Sequence, residues 1–197
     1  EIQNYKLSEE DYRGERFSDH PINLKGNNDL LVLTRPDIIH AIHLDYLEAG
    51  ADIIETNTFN ATSISQSDYQ TEDVAYEINL EAAKLARQAV TTYNKINSRP
   101  CFVAGSIGPM NKTLSMSPKV EDPSYRSVHF DEVKKSYVTQ IEGLIDGGVD
   151  LLLIETIFDT HNARAALMAC DEVFAAKEKN LPIMLSGTLT DKSGRTL

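Results

Sequence analysis

The sequence predicts a parallel α/β fold, most simply part of a (β/α)8 TIM barrel. Three observations predict it. Short, continuously apolar runs alternate with helical patterns in the order α-β-α-β-α-β-α-β, which is how buried parallel strands covered by helices are written. One phrase is written twice, as GADIIETNTF at 50–59 and GVDLLLIETIF at 148–158: Gly, Asp, an apolar run, then Glu-Thr. Each apolar run ends in small or polar residues, and in barrels the C-terminal ends of the strands face the active site. An open four-stranded sheet would write the same alternation; the repeated phrase favours the barrel.

The elements follow in order. Residues 36–49, PDIIHAIHLDYLEA, read as a helix with Ile38, Ile42 and Tyr46 on one face. Pro36 suits its first turn, Thr34 is a candidate N-cap and Gly50 a stop. DIIET follows as a buried strand. Residues 72–95 carry the longest helical pattern, with Val74, Ile78, Ala82, Leu85 and Ala89 at helical spacing. After SRP, CFVAGSIGP is a strand entering a Gly-containing loop. The polar stretch 107–129 holds Pro109, Pro118 and Pro123; a loop of that length is usually functional. Residues 131–146 are helical, with Val133, Tyr137, Ile141, Leu144 and Ile145 on one side, and Gly147-Gly148 ends them. DLLLIET is the next strand. Asp159 or Thr160 caps a helix running to about Lys179, with Ala163, Ala166, Leu167, Cys170 and Phe174 inward. LPIMLSGTL is the fourth strand.

Composition bounds the function. The 197 residues suffice for one domain with a sizeable core, and 41% hydrophobic with 25% charged residues is ordinary for a soluble globular chain. A net charge of −11 argues against nucleic-acid binding, which needs a basic surface. No stretch is long and apolar enough for a transmembrane helix, and EIQNYKLSEEDYRGERF lacks a signal-peptide core, so no membrane role and a cytoplasmic location are expected. The missing initiator Met suggests a piece of a longer chain. Cys101 and Cys170 are too few for a disulfide framework and read as buried thiols.

Because Glu55 lies three residues past Asp52, and Glu155 five past Asp150, each Glu projects to the face opposite its Asp. Both can sit at a barrel mouth; equally, both can form rim salt bridges with a neighbouring Lys or Arg. Other motifs fail. A P-loop ending in Lys112-Thr113 would need Gly where Ser106 and Asn111 stand. Asn60-Ala61-Thr62 and Asn111-Lys112-Thr113 match the glycosylation pattern by chance. His40 and His43 share a helix face as a packing or solvated feature, and His161 stands near a strand end without a partner. A Schiff-base aldolase would need a strand-end Lys, whereas the strand ends offer Glu, Ser, Gly and Thr.

KGNNDLLVLTRPD, AGADIIETNTFNATSISQSDY, VAGSIGPMNKTLSMSP, GGVDLLLIETIFDTHNARAAL and LSGTLTDKSGRTL together resemble the N-terminal homocysteine-binding domain of cobalamin-dependent methionine synthase, in the homocysteine S-methyltransferase family. The resemblance spans essentially residues 1–197 and implies a partial barrel domain, about half of a (β/α)8 barrel, roughly strands two to five in family order. It implies methyl transfer to the sulfur of homocysteine, giving methionine, from methylcobalamin recharged by methyltetrahydrofolate. The implied partners are homocysteine and the cobalamin- and folate-binding domains of the same polypeptide. Zinc, held by three cysteine thiolates, would bind the substrate thiol and favour its thiolate. The cysteine motifs of that site, GLNC-type and GGCC-type, do not occur here, so no zinc ligand is expected in this chain, and alone it is expected to be inactive. The alternative is a non-catalytic binding fragment of the same fold. Glu155 matches the family position expected to hold the homocysteine amino group. Strand-end placement puts Gly187, Thr188 and the backbone around Ser106 near the substrate carboxylate, and Asn57 where it can orient either group.

A half barrel exposes two sheet edges and an apolar face. The isolated chain is therefore expected to be poorly soluble or to dimerise; a monodisperse monomer in sedimentation that unfolds cooperatively would contradict this.

Overall fold

The computed structural model describes residues 1–97, 99–189, 192 and 194; the end of the LSGTLTDKSGRTL phrase lies outside them. Its elements are α1 (Glu9–Arg13), α2 (Leu31–Thr34), α3 (Pro36–Glu48), β1 (Ile53–Glu55), α4 (Ser63–Gln66), α5 (Ala75–Ile96), β2 (Phe102–Ile107), α6 (Phe130–Gly147), β3 (Leu151–Ile157), α7 (Thr160–Lys177) and β4 (Ile183–Gly187). The four strands are all parallel and lie in the order β1-β2-β3-β4. Each strand pairs with the next in sequence, so the chain winds in one direction only.

Single winding puts the helices on one face. Ile54, Val103, Ile107, Leu152 and Ile154 share one buried cluster with the inward residues of α5, α6 and α7. Ala104, Leu151 and Leu153 form a separate cluster on the opposite face. Helices on one side and strands alone on the other is the layering of a barrel wall, not of a doubly wound sheet with helices on both faces. Among the described residues the wall is open. On its inner face Ile53, Phe102 and Met184 remain 42%, 46% and 45% exposed.

The repeated phrase has a structural half and an open half. Gly50 and Gly148 end α3 and α6 with φ of +108° and +93°, which an L side chain rarely adopts. The Asp that follows is held by an arginine. Arg87 pairs with Asp150 at 2.6 Å and donates to the Gly148 carbonyl, while Asp150 Oδ2 accepts from the Val103 N–H at 2.7 Å. Arg99 pairs with Asp52 at 2.7 Å and also donates to the carbonyls of Leu47, Gly50 and Ala51. Both aspartates thus fix the N-terminal ends of their strands, leaving the Glu-Thr pairs at the other end.

Two expectations are adjusted, and one segment without a sequence signal is ordered. Thr34 does not cap α3; Arg35 occupies the N-cap without a side-chain bond, and Thr34 Oγ1 is buried at the end of α2. The 72–95 pattern begins as a 3-10 turn, Glu72–Val74, before α5 proper. Residues 1–35, which carry no periodic signal, are ordered by polar clamps. Glu9 accepts from the N–H groups of Leu24 and Lys25, and Arg13 donates to the carbonyls of Phe17, Ser18, His20 and Ile22.

α5 approaches α6 closely because Ala83 faces Gly147. A Cβ at Gly147 would stand 2.4 Å from Ala83 Cβ and 2.5 Å from the Leu80 carbonyl oxygen. Gly147→Ala should therefore destabilise by about 1–3 kcal/mol in urea unfolding, although Ala is the better helix former.

Candidate functional site

The inner face changes character along the strands. Apolar Ile53, Phe102, Leu151 and Leu153 occupy its N-terminal part, and Glu55, Ser106 and Glu155 its C-terminal end. These three, with Asn57, Thr56 and Thr58, line one cleft of about 540 Å³ whose far wall is Ile39, Ile42, His43 and Tyr46 of α3.

Glu155 is the centre of the polar end. Ser106, 2% exposed, donates its hydroxyl to Glu155 Oε1 at 2.6 Å, and Thr156 Oγ1 reaches Glu155 Oε2 at 3.4 Å. Register explains the first contact only in part. Ser106 lies level with Leu153, two residues short of Glu155. The gap is bridged where β3 bulges: Ile154 pairs with Leu185 but Ile157 with Gly187, so β3 carries one extra residue. Thr156, inside that bulge, has φ +54°. A β-branched residue in the left-handed region is strained, at a cost of about 1–3 kcal/mol.

Ser106 is itself gripped by the loop after β1. Its N–H donates to Thr56 Oγ1 at 3.0 Å, and its carbonyl accepts from Thr58 Oγ1 at 2.7 Å. The two threonine oxygens lie 2.7 Å apart. Thr58 has spent its only proton on Ser106, so Thr56 must donate to Thr58. Gln140 of α6 supports the ring from behind by donating to the Thr58 carbonyl at 2.8 Å. Thr56, Thr58 and Gln140 are buried.

Among the described residues neither Glu55 nor Glu155 belongs to an ion pair, so the rim salt-bridge alternative is not what these residues form. Partial burial, and then the charge of Glu155, push the Glu55 carboxyl above the ordinary glutamate value. Such a site accepts a cationic group carrying N–H donors, for which charge-assisted hydrogen bonds are strongest.

The five residues expected from sequence separate into two places. Asn57, Ser106 and Glu155 meet in the cleft; Asn57 donates to the Asn28 carbonyl at 2.7 Å, tying the loop after β1 to the N-terminal segment. Gly187 and Thr188 lie one strand further round, where the Thr188 N–H donates to the Ile157 carbonyl. Sequence reasoning did not find Thr56, Thr58 and Thr156, although Glu-Thr in both phrases was their signal. His43 is buried in the cleft wall, its imidazole lowered to about 4 by burial and then by His40, so it is neutral there. His161 belongs instead to a loop tether, 3.2 Å from Ser115 Oγ, where Asp159 caps α7 and holds Ser115.

The residues present do not fit a thiolate zinc site. Cys101 is buried just before β2, at the end opposite Ser106, and Cys170 is buried within α7 with its thiol pushed up to about 12 by burial. Among the described residues no three His, Cys, Asp or Glu side chains could hold a metal ion. Nor is any helix among them long and apolar enough to cross a membrane.

Because folding raises the Glu55 value, the folded state binds this proton more readily than the unfolded chain. Its contribution is therefore present at acid pH and lost as pH rises past the ordinary glutamate range. Glu55→Gln should raise Tm near pH 7.5 and leave it unchanged near pH 4; an equal gain at both would show that the charge is not the cause.

Comparison with known proteins places this architecture. The family model for homocysteine S-methyltransferase matches residues 1–197. Among solved structures, the metallated form of the homocysteine methyltransferase MmuM from Escherichia coli matches with a TM-score of 0.66 at 24% identity, over 88% of this chain and 59% of that one. The oxidized form matches with a TM-score of 0.66 at 24% identity, over 90% and 62%. The apo form gives 0.59 at 23%, over 87% and 58%. These likenesses show the fold, and the chain spans between 58% and 62% of the length of those structures. The open four-stranded wall with its polar C-terminal end is thus part of a TIM-barrel-like domain, and the chain belongs to the homocysteine S-methyltransferase family.

Proposed function

We propose that Glu155 receives the α-ammonium group of homocysteine, and that these residues are the homocysteine-binding part of a methionine synthase. The single observation that carries this reading is a carboxylate oriented by a buried serine, with no cation of its own among the described residues, at the C-terminal end of a barrel wall. Family membership supports the substrate class. Asn57 and Ser106 lie beside the anchor. Gly187 and Thr188, on the next strand, are assigned to the substrate carboxylate. Residues 1–197 then act as one partial barrel domain.

The reaction is transfer of a methyl group to the homocysteine sulfur, with methylcobalamin, recharged by 5-methyltetrahydrofolate, as donor. The long sequence phrases support that donor over others in the family. Zinc and cobalamin ligands are assigned outside this chain; its two cysteines are both buried, Cys101 just before β2 and Cys170 within α7. Methyl transfer then requires the cobalamin- and folate-binding domains of the same polypeptide, and the 197 residues alone are inactive in catalysis. The location is the cytoplasm, with neither nucleic acid nor membrane as partner.

Titration calorimetry of homocysteine into the zinc-loaded holoenzyme tests the anchor. Glu155→Gln keeps the shape and can still accept from Ser106 but loses the charge. A hydrogen bond to a charged group contributes about 1.5–3 kcal/mol, so affinity should fall roughly 10- to 100-fold with zinc retained. Equal affinity would make Glu155 a rim residue and send the search to Glu55 and Asn57.

A further inference from the structure

We infer that Thr156 and the Thr56–Thr58 pair are positioning residues that aim the Glu155 carboxylate; the inference rests on Glu155 being the substrate anchor. Two devices converge on that side chain from different strands. From the β1 side, a directed ring of hydrogen bonds runs Ser106 N–H to Thr56, Thr56 to Thr58, and Thr58 back to the Ser106 carbonyl. The proton order in the ring is forced, because each hydroxyl has one proton and Thr58 gives its own to the carbonyl. The ring fixes the Ser106 peptide from both ends and leaves the Ser106 hydroxyl to donate to Glu155 at 2.6 Å. From the β3 side, the bulge between Ile154 and Ile157 turns the chain at Thr156, whose φ is +54°.

Neither device is needed to hold the sheet. β2 and β3 are already paired from Ala104–Leu151 to Ile107–Ile154 below the site. A regular strand at 155–157 would keep its ladder with β4, and a glycine at 156 would adopt the same φ without strain. A threonine held there, with its Oγ1 directed to Glu155 Oε2, spends backbone energy on the direction of one side chain. The ring sits just past the last β1 residue, Glu55: the Thr56 N–H still donates to the Ala104 carbonyl, and at Ser106 the bonds to β2 pass to the threonine side chains.

The test uses Thr58→Val, Thr58→Ser and Thr156→Gly in the zinc-loaded holoenzyme. Crystal structures of the three judge the inference without any ligand. The Glu155 carboxylate should leave Ser106 in Thr58→Val and Thr156→Gly, and return in Thr58→Ser. A carboxylate that stays on Ser106 in either of the first two overturns the role of that residue. Homocysteine titration supplies the second readout. A misplaced group costs up to about 100-fold, so affinity should fall about 10-fold in Thr58→Val and Thr156→Gly, and stay within about 3-fold of the parent in Thr58→Ser. In Thr156→Gly that loss should come with an unchanged or higher Tm, because strain is relieved. A residue serving only stability would instead lower Tm and spare affinity, which overturns the inference for Thr156. If the parent holoenzyme takes up no homocysteine, the amino-acid reading fails separately, and the position of Glu155 in the crystals still decides this one.

Discussion

Strand register is the constraint on which the rest depends. Side chains alternate along a strand, so a slip of one residue would carry every inner side chain to the helix face. Asp150 prevents that slip in β3: its carboxylate takes the Val103 N–H, its own N–H donates to the Val103 carbonyl, and Arg87 grips both it and Gly148. Asp52 and Arg99 do the same work less tightly for β1, with Asp52 72% exposed. As energy, ion pairs this exposed contribute about 1 kcal/mol or less. Their consequence is geometric. With the odd offsets from Asp to Glu, they decide that Glu55 and Glu155 face inward while Ile54, Leu152 and Ile154 face the helices.

The same accounting explains why the fold was legible and part of the site was not. Helix spacing, apolar strand runs and the two glycines after α3 and α6 are local signals, each sufficient to place an element within a few residues. The winding direction was not local, which is why the alternation alone fits an open four-stranded sheet as well as a barrel wall, the repeated phrase favours the barrel, and the strand order shows the single winding. The segment before α3 escaped for a different reason. Its order comes from Glu9 and Arg13 reaching backbone groups as far as sixteen residues away, and such contacts leave no period in the sequence.

The site divides along the same line. Glu155 and Ser106 could be placed at strand ends from alternation alone. That they touch depends on a bulge in one strand and a threonine ring in the loop after another, and both depend on which strands are neighbours. Thr56, Thr58 and Thr156 looked like ordinary strand-end threonines, because a hydroxyl's partner cannot be read from its own surroundings in sequence. Gly187 and Thr188 were placed by the same strand-end rule, and the strand order, with β4 beyond β3, is what sets them one strand away from the cleft.

A site assembled this way is set against its own stability. Two carboxylates share an inner face with no cation paired to them among the described residues, one of them pushed above its ordinary value, and a β-branched residue beside the other is held in a left-handed conformation. Both costs fall at the C-terminal ends of the strands, while the helix side of the same strands is packed with fully buried Leu152, Leu144 and Ile141. Each such side chain contributes about 1.5–3 kcal/mol of burial, enough to carry a few kcal/mol of strain and repulsion. A ligand ammonium would cancel the repulsion by supplying the missing charge, so binding would be strongest where the empty protein is least content. Stability is therefore concentrated on the helix face, and the inner end is left free to be shaped by the group it receives.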